Sequence, residues 1–279
     1  MNSGIITKAL GGFFFVADKT GNIHKTRIRG RIQEKIFPGD KVGYSENVIE
    51  EVYPRKNLLH RPSVANVDQV GVVQSLTKPT FDRKLLDRFL VIIEAQNLTP
   101  IIIINKIDEK NNTDIKEPNL TDYKTAGYDI CKISAKNETK LDQLKIILQN
   151  EINVLTGPSG VGKSTIINAL IEEADMRTGE VSQRLNRGVN TTRHVELLNL
   201  DNGGWLADTP GFTSLDIDGI DPTDLRYLYP EFNQYLGHCK FNSCSHTHEP
   251  DCAVKKAVKE GELSQKRYRT YKKFYQELT

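Results

Sequence analysis

The sequence predicts a multidomain α/β protein with an N-terminal β-barrel, a central α/β domain and a mainly helical C-terminal module. In residues 1–62, turn signals recur about every eight to twelve residues, the spacing typical of a small barrel. Residues 63–218 alternate apolar strands with helical segments, which favours a mainly parallel sheet. Residues 219–279 are rich in Tyr, Cys, His and Lys and hold three of the four cysteines.

The N-terminal strands are short and are separated by turns that contain glycine. They are Ile5-Ile6, Phe13–Val16, Ile23–Ile28 and Lys41–Tyr44. Barrels of this size include the OB-fold, which binds nucleic acid on one face, and we expect residues 1–62 to adopt it. Most aromatic residues here are expected in the core, because a small barrel needs bulky filling. An aromatic residue exposed for base stacking is the alternative.

The composition is that of a soluble globular chain. Of the 279 residues, 38% are hydrophobic and 27% are charged. No apolar run approaches the roughly 20 residues that a membrane-spanning helix needs. The N-terminus lacks the charged and apolar pattern of a signal peptide. We therefore expect a cytoplasmic protein that has no membrane partner.

The net charge of +2 hides an uneven distribution along the chain. Residues 1–62 hold 11 Lys and Arg against 6 Asp and Glu, and residues 253–279 hold 8 against 3. The intervening residues 63–252 hold 19 against 27. Two basic ends around an acidic middle suggest that the ends contact a polyanion. Charge that is merely solvated is the alternative.

The central domain carries a phosphate-loop motif, because Gly157–Ser164 fits G-x-x-x-x-G-K-[ST] between an apolar strand and a helical segment. Glycines let backbone N–H groups face phosphate oxygens, and a helix N-terminus adds positive partial charge. We expect Lys163 to contact the β- and γ-phosphates and Ser164 to bind Mg²⁺. The predicted loop comprises Gly157, Pro158, Ser159, Gly160, Val161, Gly162, Lys163, Ser164 and Thr165.

Two later segments are candidates for the γ-phosphate side of the site. Asp208 ends an apolar strand 44 residues after Ser164 and is predicted as a Mg²⁺ contact, while Gly211 offers an N–H to the γ-phosphate. The polar stretch before this strand contains Thr191 and Thr192, one of which is expected to close over Mg²⁺ and the γ-phosphate. We assign Thr192 to Mg²⁺ and catalysis and Thr191 to nucleotide contact. An idle surface loop is the alternative.

A base-reading motif precedes the phosphate loop. Asn105-Lys106-Ile107-Asp108 follows the strand Ile101–Ile104, and Asp108 is expected to accept two N–H groups from the guanine edge, where adenine presents an acceptor. Asn105 braces the loop and the stem of Lys106 covers the base. Ser134-Ala135-Lys136, after another predicted strand, is similar to the segment whose backbone meets the guanine O6 atom. These residues select guanine over adenine and argue against a general ATPase.

Most GTPases place the phosphate loop before the base reader, so the reversed order here predicts a circularly permuted domain. The segments NKID, SAK, GPSGVGKST, NTTRHVELL, DTPGF and CKFNSCSHTHEPDC resemble the RsgA (YjeQ/YloQ) family over essentially the whole chain. The resemblance implies a GTPase that binds the 30S ribosomal subunit and its 16S rRNA, helps late small-subunit maturation and is stimulated by the ribosome. We expect a monomer.

The sequence departs from common GTPase patterns at two positions that bear on hydrolysis. Related sequences often carry His where this chain has Asn190, so no role of that His is transferred. Phe212 stands where Ras-like GTPases place a water-orienting Gln. We expect slow intrinsic hydrolysis, with water positioned by His194, our catalytic candidate beside Thr192 and Lys163, or by the ribosome.

The C-terminal cysteines have the spacing of a metal site. The predicted ligands are Cys239, Cys244, His246 and Cys252. Three thiolates and one imidazole suit a closed tetrahedral Zn²⁺ site, which is structural because no position remains for water. His248 and His238 are competing imidazoles, and the resemblance favours His246. Buried cysteines without a metal are the alternative, and Cys131 is expected in a strand core.

The end of the chain has the pattern of a basic amphipathic helix. Lysines and arginines between Lys255 and Lys273 alternate with Tyr268, Tyr271, Phe274 and Tyr275. One interpretation is contact with rRNA phosphates, and the other is packing of the aromatics on the metal module. The functional alternatives are a ribosome-assembly GTPase, a GTP-gated RNA-binding switch and a translation-regulating factor.

Overall fold

The computed structural model describes residues 1–60, 62–112, 117–178, 195–200, 202–208 and 216–279. Within them, eleven strands share one mixed sheet and two further strands form a separate hairpin. Six α-helices and several 3-10 helices cover this framework. No helix of the described part combines the length and the apolar character needed to cross a bilayer.

The N-terminal strands close into a five-stranded barrel. They are β1 (Asn2–Leu10), β2 (Phe13–Ala17), β3 (Ile23–Ile28), β4 (Lys41–Ser45) and β5 (Val48–Val52). The strands pair in the order β1-β2-β3-β5-β4, and β4 returns to β1. Because β3 and β5 run parallel while the other pairs are antiparallel, the topology is that of the OB-fold. The predicted barrel is confirmed, with β5 as an additional strand.

The barrel core follows the alternation of its strands. Ile6, Val16, Val42 and Ile49 are fully buried, and Tyr44 is buried among them. Phe13 is half-buried, and the ammonium of Lys25 lies 4.0 Å from the centre of its ring. The aromatic residues of the barrel therefore divide between the core and a basic surface.

The central domain alternates strands and helices as predicted. Its elements are β6 (Leu58–His60), β7 (Ser63–Ala65), β8 (Gln69–Ser75), α1 (Arg83–Glu94), β9 (Thr99–Asn105), a 3-10 helix (Ile107–Asn112), α2 (Thr121–Thr125), β10 (Asp129–Lys132), α3 (Leu141–Ile147), β11 (Ile152–Thr156), α4 (Lys163–Thr178), β12 (Glu196–Asn199) and β13 (Trp205–Asp208). Five strands are parallel in the order β10-β9-β8-β11-β13, and β12 is antiparallel to β13.

Burial on both faces explains why the central strands are continuous apolar runs. The four isoleucines Ile101–Ile104 of β9 are each at most 1% exposed and divide between two cores on opposite faces of the sheet. Helix α1 covers one face, and its first turn is capped by the Asp82 carboxylate, which accepts from the Leu85 N–H at 3.1 Å. The carboxyl ends of the parallel strands meet at one edge, where the motif residues lie.

The C-terminal module packs its apolar core on the central domain. It contains 3-10 helices (Leu225–Leu228 and Pro230–Tyr235), α5 (Ala253–Glu260) and α6 (Gln265–Leu278). Tyr271 and Phe274 of α6 are fully buried and belong to one apolar core with Val91 and Ile92 of α1. The packing interpretation of the C-terminal aromatics is therefore correct.

One basic residue of α6 is buried, although the sequence pattern predicted that the charges of this helix face solvent. Arg267 is only 2% exposed and donates to Asp87 at 2.8 Å and to Glu231 at 3.1 Å. Its guanidinium lies against the rings of three tyrosines, and its charge is paired with carboxylates inside the protein. Lys266, Arg269 and Lys273 keep an exposed basic strip on the same helix.

In the described part of the chain, the barrel joins the central sheet through the pairing of β1 with β12. Lys8 of β1 lies opposite Glu196 of β12, and its ammonium is 3.0 Å from the Glu196 carboxylate. Glu196 is in turn the partner of Asp208 across β12 and β13. The strand that begins after the Thr191-Thr192 segment is thus attached to the barrel.

Candidate nucleotide site and metal centre

The loop between β11 and α4 has a backbone that only glycine accommodates. Gly157 has a φ of 135°, and a Cβ there would lie 2.1 Å from the Val73 carbonyl oxygen. Gly162 has a φ of 97°, and a Cβ there would lie 2.4 Å from Asn105 Nδ2. Glycine is therefore required at both positions, because the backbone has a positive φ and residues of neighbouring strands approach closely.

Lys163 points back over this loop. Its ammonium donates to the carbonyl oxygens of Gly157 at 2.7 Å and Pro158 at 3.0 Å. Burial lowers the pKa of Lys163. Ser164 and Thr165 are exposed on the first turn of α4, while Val161 is fully buried and anchors the loop. Lys163, Ser164 and Thr165 all lie in the first turn of α4, at the end of the helix whose partial charge favours anions.

Asn105 ties the base-reading segments to the phosphate loop. Its buried side chain donates from Nδ2 to the Val161 carbonyl oxygen at 2.9 Å and accepts the Ala135 N–H at 3.1 Å. Lys106, with a φ of 63°, donates from Nζ to the Gly160 carbonyl oxygen at 2.7 Å and to that of Lys78. Three motifs that are distant in sequence are therefore joined by direct hydrogen bonds.

The side chain of Asp108 remains available to a ligand. Its Oδ1 atom is buried and has no hydrogen-bond partner among the described residues. Ser134 is fully buried and its Oγ accepts from the Asn137 N–H at 3.2 Å, whereas Lys136 is exposed. A buried carboxylate oxygen without a partner is costly unless a ligand supplies a donor.

The structure places the predicted γ-phosphate residues only in part. Asp208 ends β13, one residue beyond the Ala207–Val154 pair, so it lies beside the strand that leads into the phosphate loop. Thr191, Thr192, His194 and Gly211 lie outside the described residues, as do Asn190 and Phe212.

The turn after β8 also contacts the base reader, although no sequence motif indicated this. The backbone of Ser75–Lys78 contacts the base reader through the Leu76 N–H, which donates to the Asn105 carbonyl oxygen at 3.0 Å. The Lys78 carbonyl oxygen accepts from Lys106. Backbone contacts of this kind have no residue-type signature, so only the strand order reveals them.

The four predicted metal ligands form one cluster in the C-terminal module. The Sγ atoms of Cys239, Cys244 and Cys252 and a ring nitrogen of His246 all lie within 4.8 Å of one another. Cys239 Sγ is 3.8 Å from Cys252 Sγ and 3.5 Å from His246 Nδ1. Ligands on a tetrahedral Zn²⁺ are about 3.3–3.8 Å apart when metal–ligand bonds are about 2.0–2.3 Å. The residues present therefore fit a zinc ion.

Neighbouring residues donate hydrogen bonds to the residues of this cluster. Backbone N–H groups of Ala253 and Lys255 donate to the sulfurs of Cys239 and Cys252 at 3.3 and 3.4 Å. The Tyr268 hydroxyl donates to the His246 carbonyl oxygen at 2.8 Å. Burial raises the pKa of the Cys244 thiol to about 12.

The competing candidates lie away from this cluster. Of the three histidines considered, His246 alone belongs to it, and His248 is hydrogen-bonded to Thr247 instead. Cys131 lies in the core of β10, as expected, and burial raises the pKa of its thiol to about 11.

Comparisons with known proteins agree with this geometry. The family described as RsgA GTPase matches residues 52–218, and the RsgA N-terminal domain matches residues 3–51. The chain belongs to the RsgA family. Two curated relatives called small ribosomal subunit biogenesis GTPase RsgA support this. The one from Bacillus cereus is 44% identical over 291 residues, covering 100% of this chain and 98% of that protein. The one from Clostridium botulinum is 42% identical, covering 99% and 97%.

Two solved structures have the same architecture as this RsgA family member. YloQ, described as a circularly permuted GTPase, has a TM-score of 0.82 at 37% identity, covering 100% of this chain and 95% of its own. YjeQ from Thermotoga maritima has a TM-score of 0.80 at 35% identity, covering 99% and 98%. The predicted permutation and the predicted GTPase activity are therefore confirmed.

Proposed function

We propose that this GTPase acts in late maturation of the small ribosomal subunit, where it binds the 30S particle and hydrolyses GTP to GDP and phosphate. The observation that carries the nucleotide part is the pair of hydrogen bonds made by the Asn105 side chain, which donates to the Val161 carbonyl oxygen and accepts from the Ala135 N–H and so joins the phosphate loop to the base reader. The names of the relatives supply the ribosomal part.

Each predicted nucleotide residue has a role in this proposal. Asp108 accepts the guanine N–H groups, Asn105 and Lys106 support the base, and the 134–136 segment meets O6. The loop Gly157–Thr165 cradles the phosphates, and Lys163 neutralises the charge that develops during transfer. Thr191 and Gly211 contact the γ-phosphate side of the nucleotide.

Magnesium accompanies the triphosphate, and the proposed ligands are Ser164 and Thr192 with Asp208 as a further contact. When bound, Mg²⁺ supplies charge neutralisation at the β- and γ-phosphates. The chain contributes a hydroxyl on the first turn of α4 and a carboxylate at the end of β13, both at the carboxyl edge of the sheet. His194 is proposed to position the attacking water.

We propose that Cys239, Cys244, His246 and Cys252 hold one structural Zn²⁺. The ligand spacing fits the ion, and a set of four protein ligands has no position left for water. The ion stabilises a module whose helices α5 and α6 enclose the cluster. The same module presents Lys266, Arg269 and Lys273 to solvent.

The basic strip of α6 and the basic barrel surface support 16S rRNA as the direct partner. On the barrel, Lys25 and Arg27 both lie within 5 Å of the centre of the Phe13 ring, so cation and aromatic groups are presented together. This combination suits phosphates and bases. We propose a cytoplasmic monomer with domains at residues 1–62, 63–218 and 219–279.

The test measures phosphate release with and without purified 30S particles. Strong stimulation of a slow intrinsic rate supports the assembly GTPase, since completing a GTPase site in trans is worth about 10³–10⁵ in rate. Equal rates contradict stimulation by the ribosome. Binding to 30S that depends on GTP over GDP without any stimulation supports a GTP-gated RNA-binding switch instead.

A further inference from the structure

The turn Ser75–Lys78 after β8 lies beside the base reader for a topological reason. Strands β8 and β9 are parallel neighbours, and Ser75 is the partner of Asn105 at the last step of the ladder. The residues that follow β8 and those that follow β9 therefore leave the sheet side by side. Leu76 begins this contact by donating its N–H to the Asn105 carbonyl oxygen at 3.0 Å.

The same turn then contacts both flanks of Asp108. On one side, the Lys78 carbonyl oxygen accepts from the ammonium of Lys106. On the other side, the Thr77 hydroxyl donates to the carboxylate of Glu109. Asp108 thus lies in sequence between Lys106 and Glu109, and both of these residues are hydrogen-bonded to the turn Ser75–Lys78.

Thr77 makes the side-chain part of this brace from a buried position. It is 2% exposed, and its own N–H donates to Ser75 Oγ at 3.3 Å, which keeps the turn compact. A hydrogen bond to a carboxylate is stronger than one between neutral groups. Glu109 belongs to the 3-10 helix Ile107–Asn112 that also carries Asp108, so fixing Glu109 restricts the rotation of that helix.

The reader needs such support because its own carboxylate lacks a full set of protein contacts. Asp108 Oδ1 is buried without a hydrogen-bond partner in the described part of the chain. Lys106, which precedes it, has a left-handed backbone with a φ of 63°. Before a ligand binds, such a carboxylate keeps its geometry only if neighbouring residues hold it in place.

We propose that Thr77 is a positioning residue for guanine recognition, acting through Glu109 on Asp108. This inference rests on the assignment of Asp108 as the guanine reader under the proposed function. It predicts that loss of the Thr77 hydroxyl weakens guanine nucleotide binding in protein that retains Asp108 and has no effect in protein that lacks it.

The experiment compares GDP affinity of the full-length chain in a double-mutant cycle. Thr77→Val removes the hydroxyl at nearly constant shape, Thr77→Ser retains it, and Thr80→Val is the matched control at an exposed neighbour. Thr77→Val is expected to weaken GDP binding about tenfold, since a hydrogen bond to a charged group is lost. Thr77→Ser and Thr80→Val are expected to remain within about twofold of the parent protein.

The cycle with Asp108→Ala separates positioning from a general structural effect. If Thr77 acts through Asp108, Thr77→Val has no further effect on GDP affinity in the Asp108→Ala background. An equal loss in both backgrounds overturns the inference, and so does parent-like affinity of Thr77→Val. Should Thr77→Val fail to fold by circular dichroism, Glu109→Met, which has no acceptor oxygen at a similar side-chain length, tests the same bond from its acceptor side under the same criteria.

A separate outcome bears on the proposed function alone. If Asp108→Ala keeps the parent preference for GDP over ADP, the assignment of the guanine reader fails. If Asp108→Ala loses that preference while Thr77→Val keeps full affinity, only the role of Thr77 fails.

Discussion

Arg267 of α6 donates from its guanidinium to the Asp87 carboxylate of α1 at 2.8 Å, and neither side chain is more than 2% exposed. Asp87 also accepts from the Tyr123 hydroxyl at 2.8 Å, and the second partner of Arg267 is Glu231. This buried network crosses from the C-terminal module to the helix that follows β8. It links the C-terminal module, which holds the Cys/His cluster, to the GTPase domain through buried, desolvated charges.

Replacing Arg267 by Met is expected to destabilise the protein by about 3–5 kcal/mol, because two carboxylates remain buried without their cation. The free energy of unfolding from urea titration measures this. Arg269→Met is the matched control, since Arg269 is exposed two residues further along the same helix, and its cost is expected within about 0.5 kcal/mol. Equal stability of the two variants contradicts a structural role for the buried pair.

Gly162→Ala is expected to weaken GDP binding at least about tenfold, that is by about 1.4 kcal/mol. The added Cβ would approach within 2.4 Å of Asn105 Nδ2 and displace the amide that joins the phosphate loop to the base reader. Gly127→Ala is a closely matched control. Gly127 has a φ of 96° against 97° for Gly162, but no atom lies within 4 Å of its added Cβ.

Isothermal titration with GDP distinguishes the two glycine variants. Both are expected to lose stability from the left-handed backbone, by about 1–2 kcal/mol each. Only Gly162→Ala is expected to lose affinity. A similar drop in affinity for Gly127→Ala would mean that backbone strain, and not the contact with Asn105, controls nucleotide binding.

The motifs predicted from the sequence are those whose chemistry is local. A phosphate loop needs its glycines and Lys163 within one short loop, and the proposed metal ligands Cys239, Cys244, His246 and Cys252 also lie close together in sequence. Their spacing therefore identified the groups that the fold brings together. The sequence predicted that Asn105 braces the base-reading loop, and the structure adds its hydrogen bond to the Val161 carbonyl oxygen of the phosphate loop.

The features that were overlooked depend on residues distant in sequence. The charge of Arg267 indicated an exposed helix face, because its buried partners Asp87 and Glu231 lie 180 and 36 residues away. Strand β12 has only four residues, and its pairing with both β13 and the barrel is set by tertiary contacts. The brace at Thr77 arises from the parallel pairing of β8 with β9, which the composition of the turn does not reveal.

Cys244→Ser is expected to yield protein without stoichiometric zinc and with a disordered C-terminal module. Binding of a structural Zn²⁺ is worth about 10–16 kcal/mol of apparent folding energy in small zinc modules, and this variant removes a buried ligand. Elemental analysis and limited proteolysis measure the two effects. Cys131→Ala, at a buried cysteine outside the cluster, is the control that should retain zinc; full zinc content in Cys244→Ser would refute the ligand assignment.

The ion pairs of Glu117, close to the base reader, are expected to make a pH-dependent contribution to the free energy of unfolding. Its carboxylate is bound by Lys132 of β10 and by Lys110 at 3.0 Å, and the hydrogen bond from Lys132 is the main cause that lowers the pKa of Glu117 from 4.5 to about 2. Because the folded-state pKa lies below the unfolded value, the stabilisation is present above about pH 4.5. It is lost as the pH falls from about 4.5 to about 2.

Glu117→Gln is therefore expected to be less stable than the parent at pH 7, and the difference is expected to shrink between pH 4.5 and pH 3. The group is largely exposed, so solvent screening limits the effect to less than about 1 kcal/mol. Urea midpoints at pH 7, 4.5 and 3 measure it, with Glu138→Gln at another exposed glutamate as the control. Added salt at pH 7 should reduce the difference, because exposed ion pairs are screened. A difference that is constant across these pH values would show that the two lysines do not stabilise the Glu117 carboxylate in the folded protein.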